Sequence, residues 1–406
     1  MYENILVALD GSVASGFAGK VTIELANALE SRITVCHVYG IDIHRSRFSD
    51  MEPGLPEQYQ EENKLIYLRS SHDKLMSEGF RALSIGYVED FVASCKKLKI
   101  PVESVAIEGR SYTGILQLAT EQKFDLIILG ATGLGAIGDG LLGGTTSRIL
   151  YNSPCDLLII RSGFDKGPIL TGVDGSEEAL KAVNKAAFLG SALNKCVNII
   201  AAYDPVFHTR VFDTIAGSFS NERKEEIGLA EQEKLHNDII NEGLEKLYAE
   251  FLHQAEDHCR HNGISITSSL VTGKAYNSLN LQAEKSGANL IVLSRHGNHS
   301  EQFSIIGSNT ENLLRTTKTN VLVIGGVKKI VNDFKKHKAQ TIKELPSLTW
   351  EPDAQALLKR VPVFARKMAK HAVESAAQKS GKQRVSAEDF QNIAAQFGMG
   401  QNRSHK

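Results

Sequence analysis

Short runs of β-branched and aliphatic residues alternate along this chain with longer stretches whose apolar positions recur at helical spacing, the pattern of a parallel sheet covered on both faces. The runs predict strands at 4–9, 33–38, 102–107, 125–129 and 156–160, and again at 168–173, 197–202, 265–271, 289–293 and 320–324. The second set echoes the first. Ile5-Leu6-Val7-Ala8-Leu9-Asp10-Gly11-Ser12 returns as Ile169-Leu170-Thr171-Gly172-Val173-Asp174-Gly175-Ser176, an offset of 164 residues that also carries Gly109 to Gly273, Gly133 to Gly297, Gly143 to Gly307 and Thr146 to Thr310. Register held that long marks two copies of one domain, assigned to 1–162 and 167–325. Between the second and third strands of each copy lies a long segment, acidic and helical in period over 222–260 in copy two, so an extended helical excursion is expected there.

Beyond residue 325 the pattern changes. Residues 326–348 read as a basic linker and 349–400 as a small helical module. Helical period runs through Ala354, Leu357, Leu358 and Val361 to a break at Pro362, then over 364–377 to a stop at Gly381. Ser386 caps a last short helix over 390–397. The expected fold class is α/β: two tandem five-stranded parallel-sheet domains of Rossmann-like winding, plus a small α-helical C-terminal module.

A chain of 406 residues exceeds what one core usually supports, in keeping with several domains. No run of 18 apolar residues appears, so no membrane span is expected, and the N-terminus lacks the basic start of a signal peptide, which points to the cytoplasm. Five widely spaced cysteines without a C-x-x-C read as reduced thiols. The net charge of −1 hides an asymmetry: residues 326–406 carry 16 Lys and Arg against 7 Asp and Glu, leaving 30 against 40 in the body.

The chemistry gathers after the fourth strand of copy one, where Gly130-Ala131-Thr132-Gly133-Leu134-Gly135 leads through further glycines to Gly143-Gly144-Thr145-Thr146. Glycines let backbone N–H groups approach a phosphate closely, and the start of the following helix favours negative charge. Hydroxyls at Thr145 and Thr146 offer contacts to phosphate or a phosphate-bound metal. The spacing Gly133-x-Gly135-x-x-Gly138 is no dinucleotide fingerprint, since that motif follows the first strand of its unit, and no Gly-Lys-Ser/Thr closes a P-loop. No G-x-S-x-G, H-E-x-x-H or Cys–His signature indicates dedicated catalysis. His258-Cys259-Arg260-His261 is the one metal-like cluster, and it reads as a solvated helix end.

The spacing Gly130-x-x-Gly133, nine residues, Gly143, together with Asp10 at the first strand end and Pro154-Cys155-Asp156-Leu157-Leu158-Ile159-Ile160, resembles the universal stress protein family over 1–325 in two copies. The resemblance implies an adenine nucleotide alpha hydrolase-like fold and binding of ATP or AMP, with Mg²⁺ admitted beside ATP. It implies a base site at Ala8, Asp10 and Val38, and a sugar and phosphate site at Gly130, Gly133, Gly143, Gly144, Thr145 and Thr146. Copy two would use Asp174 and Ala202, then Gly297, Gly307, Ser308 and Thr310. Copy one departs from the family pattern at Gly144, which stands where a serine is usual, and copy two at Ser294, which stands where the first glycine is usual. An added Cβ can hinder backbone approach more than a lost hydroxyl does, so copy one is expected to be the better site.

The terminal strands 157–160 and 321–324 would leave apolar edges exposed, so the copies are expected to pair there as an internal pseudo-dimer, with further self-association left open. In the tail, Trp350, Arg360-Val361-Pro362, Phe364, Glu374, Gly381 and Val385-Ser386 resemble the small C-terminal domain of the light-independent protochlorophyllide reductase B subunit. The cluster-binding cysteines of that chemistry are missing from this chain, and the module is read as docking on a protein, the acidic body included. Its aromatics fall at apolar positions of the helical pattern, which argues against nucleic acid.

Overall fold

The computed structural model describes residues 1–40, 46–48, 50–59, 61–135, 142–164, 166–219, 221–261, 266–298, 305–327, 339–341, 348–361 and 363–396. All ten expected strands form, each displaced by at most one residue at either end: β1 Asn4–Ala8, β2 Arg32–Tyr39, β3 Val102–Glu108, β4 Leu126–Gly130, β5 Asp156–Ile160, β6 Ile169–Val173, β7 Val197–Tyr203, β8 Ile266–Thr272, β9 Leu290–Ser294 and β10 Asn320–Ile324. Between them run helices α1 Val13–Leu29, α2 Glu62–Lys97, α3 Ser111–Gln122, α4 Gly144–Leu150, α5 Glu177–Leu193, α6 Pro205–Gly217, α7 Asn221–Glu226, α8 Leu229–Asp238, α9 Leu244–His261, α10 Ala275–Ser286 and α11 Ser308–Thr316. The linker contributes β11 Ala339–Thr341, and the tail folds as β12 Thr349–Trp350, α12 Pro352–Arg360, α13 Val363–Lys379, β13 Arg384–Val385 and α14 Ala387–Gln396. Residues 328–338 and 342–347 of the basic linker, Pro362 and the C-terminus from 397 lie outside the described residues. Among the described residues no helix is long and apolar enough to cross a membrane.

The fold divides into two compact units. The first takes the described residues of Met1–Thr34, Leu98–Pro101 and Ile115–Phe334; the second takes those of Val35–Lys97, Val102–Gly114 and Lys335–Lys406. In the first unit the strand order β1-β4-β5-β10-β9-β6-β7-β8 crosses from copy one to copy two. Every pairing in it is parallel except the junction, where β10 meets β5 antiparallel with Val321 opposite Ile159 and Val323 opposite Leu157. The strand count therefore differs from two separate sets of five, because this junction joins strands of both copies into one sheet. Beyond the polar starts of β5 and β10 at Asp156 and Asn320, its central strands are apolar and buried on both faces, the condition of a parallel sheet with helices on each side. The repeat reaches the helix ends: Ser12 caps α1 and Ser176 caps α5, each accepting the N–H three residues on, and Glu30 and Asn194 close them in left-handed conformation.

In the second unit the order is β11-β3-β2, so the linker adds an antiparallel edge strand to β3, with Gln340 opposite Ala106. The tail closes its own core over Trp350, Ala354, Val361, Val373, Ala377, Val385 and Phe390. The Trp350 indole donates to Glu374 Oε1 at 2.7 Å and meets Phe390 edge to face at 6.3 Å, so the one tryptophan is both packed and satisfied. Helix α13 packs against α2. The short parallel pair β12·β13, which the helical pattern does not reveal, ties the entry of the module to the start of α14.

Candidate functional site

The C-terminal ends of β6, β7 and β9 and the start of α11 enclose a cleft of about 400 Å³ in copy two. Its lining includes all six residues expected there: Asp174, Ala202, Gly297, Gly307, Ser308 and Thr310. Four separate segments bring them together, each set by its own local physics. The apolar β6 ends at Asp174, and the next two residues begin the cap of α5. The Asp174 carboxylate is built into the loop: Oδ1 accepts from Ser176 N–H at 3.1 Å and from Ser176 Oγ at 2.6 Å, and Oδ2 accepts from Asn298 N–H at 2.8 Å. A Cβ on Gly297 would overlap that same Oδ2, so a side chain there would have to displace the Asp174 carboxylate from its bond to Asn298. Gly307 N–H donates to Arg295 O at 2.8 Å, and α11 then starts with Gly307 as its cap, so the first N–H groups of the helix face the cleft.

Ser294 lines the cleft without closing it. Its carbonyl accepts from the Thr310 hydroxyl at 2.9 Å, as Gly130 O accepts from Thr146 at 2.8 Å in copy one. These threonines are buried and direct their hydroxyl protons at a strand end, which fastens the helix start to the sheet.

The copy-one residues in the first unit repeat this frame. Asp10 follows β1 and its Oδ1 accepts from Ser12 N–H at 3.0 Å; a Cβ on Gly133 would stand 2.7 Å from Asp10 Oδ2. Gly143 N–H donates to Ala131 O at 2.8 Å before α4, whose first residues are Gly144, Thr145 and Thr146, and Ala8 ends β1. Gly130 has another role: a Cβ there would meet Ser15 N at 2.8 Å and the Ala14 carbonyl carbon at 2.9 Å, so the space it leaves is filled by α1. Val38 lies on β2 in the second unit, half-buried against Gly114. Residues 136–141 of the glycine loop lie outside the described residues.

The spacing of the glycine motif does not reveal Tyr248, Leu279, Ile306, Asn309 or Glu311, which also line the copy-two cleft. The signal for Tyr248 was the period of α9, where Tyr248, Leu252, Ala255 and Cys259 share one face against β6 and β7. Burial, and then the neighbouring Asp174 charge, push the Tyr248 phenol above its ordinary range. The histidine cluster is engaged locally: His258 Nε2 lies 2.7 Å from Asn184 Oδ1 and His261 Nδ1 2.6 Å from Asp257 O. Among the described residues no three His, Cys, Asp or Glu side chains are arranged to hold a metal ion.

Comparison with known proteins agrees with this frame. The universal stress protein family model matches residues 1–161 and 167–325, and the model of the proto-chlorophyllide reductase 57 kD subunit matches 350–393. A universal stress protein of Thermus aquaticus is 29% identical over 161 residues, 40% of this chain and 100% of its own length. The universal stress protein YxiE of Bacillus subtilis is 23% identical over 161 residues, again 40% of this chain and 100% of its own. The crystal structure of a functionally unknown protein from Pseudomonas aeruginosa PAO1 shares the fold at 14% identity and a TM-score of 0.52, covering 80% of this chain and 93% of that one. Two matched segments, one in each copy and carrying the same strand order, make this chain a tandem member of the universal stress protein family with a C-terminal module similar to that of the reductase subunit.

Proposed function

We propose that this chain is an adenine-nucleotide-binding regulatory or stress-protective protein that carries no dedicated catalytic site. The observation that supports the reading is the convergence of Asp174, Ala202, Gly297, Gly307, Ser308 and Thr310 on one open cleft at the strand ends, where open α/β sheets hold their ligands. The ligand is ATP or AMP, with Mg²⁺ accompanying ATP. The antiparallel β5·β10 pairing supports reading the two copies as an internal pseudo-dimer, and the packing of α13 on α2 supports reading the tail as a docking module. We place the protein in the cytoplasm. Calorimetric titration of the full chain with ATP, ADP and AMP, with and without Mg²⁺, tests the reading. Saturable binding below millimolar ligand is expected, and heat-silent titrations at millimolar concentrations of all three would leave a nucleotide-free adaptor of the same fold.

A further inference from the structure

The lining of the copy-two cleft has a charge that the nucleotide reading does not explain. Among its described lining residues there is no lysine, arginine or histidine, whereas two are acidic, Asp174 and Glu311. Glu311 sits in the first turn of α11, beside the N–H groups that would receive a phosphate. Its Oε1 accepts from the Tyr151 hydroxyl and from Arg315 Nη2, each at 2.5 Å. Arg315 is 62% exposed, so its charge is solvated outside the cleft and offsets Glu311 only in part. The corresponding copy-one positions are Ser147 and, one residue on, Arg148 where copy two has Asn312, so an acid at this place is not demanded by the repeat. A helix start carries only about half a positive charge, enough for one phosphate group and not for a chain of them beside the Glu311 carboxylate.

The opposite end of the cleft is aromatic. Tyr248 lines it beside Val173, Asp174 and Ala202, with its ring supported by Tyr203 at 6.2 Å and by Phe251 edge-on at 5.5 Å. The copy-one residue in this register is Ser84, buried and 2.7 Å from His37 Nδ1, so the tyrosine at this position is not shared by the repeat, although Tyr39, Phe80 and Tyr87 make other ring contacts nearby in copy one.

We propose that the copy-two cleft selects a nucleoside or nucleoside monophosphate, its base against Tyr248, and discriminates against a triphosphate. The inference rests on the nucleotide-binding reading above and adds which ligand charge this copy accepts. The test is calorimetry on the full chain with AMP and with ATP in chelator, for the native protein and for Tyr248→Ala, Tyr248→Phe and Glu311→Gln. Tyr248→Ala is expected to weaken AMP about tenfold, the value of one base–aromatic stack, while Tyr248→Phe retains it. At the site that responds to Tyr248, metal-free ATP is expected to bind at least about tenfold more weakly than AMP, and Glu311→Gln to narrow that gap severalfold by tightening ATP. ATP equal to AMP at that site, or AMP binding indifferent to Tyr248→Ala, overturns the inference and leaves the nucleotide reading standing. No binding of either nucleotide overturns both.

Discussion

The carboxylates after β1 and β6 show how one residue fixes another. Asp174 Oδ2 occupies the space a Gly297 side chain would need, and Asp10 Oδ2 stands in the same relation to Gly133. Gly297→Ala is therefore expected to break the Asn298–Asp174 hydrogen bond, to cost about 1–3 kcal/mol in urea unfolding and to weaken any ligand of the copy-two cleft. Gly135, in the glycine-rich stretch of copy one, has nothing within 4 Å of where its Cβ would stand, so Gly135→Ala is expected to stay within about 0.5 kcal/mol of the native protein. Equal losses for the two would contradict this account. The pair marks a limit of reading spacing alone. A glycine motif records where a side chain is unwelcome and does not say what excludes it: at Gly130 it is the backbone of α1, at Gly297 a carboxylate, and at Gly135 nothing nearby.

At the scale of elements, the β5·β10 junction is clasped from both sides by groups related through the repeat. Asp156 Oδ1 accepts from Gly325 N–H at 2.8 Å, and Asn320 Oδ1, one offset away, accepts from Arg161 N–H at 2.7 Å. Arg161 Nη2 donates to Leu314 O at the end of α11, and Arg295 Nη1 donates to Leu150 O at the end of α4, so each copy's last carbonyls are held from the other copy. Asp156 also accepts from the Tyr2 hydroxyl at 2.7 Å and lies 3.2 Å from Lys185 Nζ in largely buried surroundings. Asp156→Ala strands Lys185 and is expected to cost on the order of 3 kcal/mol in denaturant unfolding, whereas Asp156→Asn, which reproduces the Asn320 side, keeps the Gly325 bond and loses less. The paired strands were legible in the sequence because an apolar run cannot stay at an open edge. The arginine clasps were not, because Arg161 and Arg295 stand at different registers of the repeat and become equivalent only once the chain has folded.

For the whole molecule, the tail is the part whose role the body can report. Its single tryptophan, Trp350, lies in its own core, so tryptophan fluorescence excited near the red edge follows this module alone. The first turn of α14 carries the clearest titration. Lys382, and then the Ser386 N–H, hold the Asp389 carboxyl down to about 2 from its ordinary 3.8. A depressed carboxylate stabilises the fold above its ordinary range and loses that contribution as pH falls from about 4 toward 2, so the fluorescence-detected stability should drop across that window. Asp389→Asn should flatten the drop. Helix α13 covers part of α2, burial pushes the His371 imidazole below its ordinary range there, and β11 pairs with β3. Deleting 327–406 removes all three features, and the second unit is expected to melt earlier. The described lining of the copy-two cleft runs from Gly172 to Glu311, so nucleotide affinity in the truncated chain is expected to stay within about twofold, as for changes at distant, independent sites. The same deletion bears on nucleic acid, since the tail holds 16 Lys and Arg against 7 Asp and Glu. Charge alone would permit DNA contact, but Trp350 and Phe390 are packed in the module core, and neither is presented for stacking on a base. Gel-shift titrations of the full chain across a salt series are therefore expected to show at most weak, sequence-indifferent binding. Tight binding that falls steeply with salt and vanishes on deletion would make the tail a nucleic-acid arm, because only phosphate contacts release counterions on that scale.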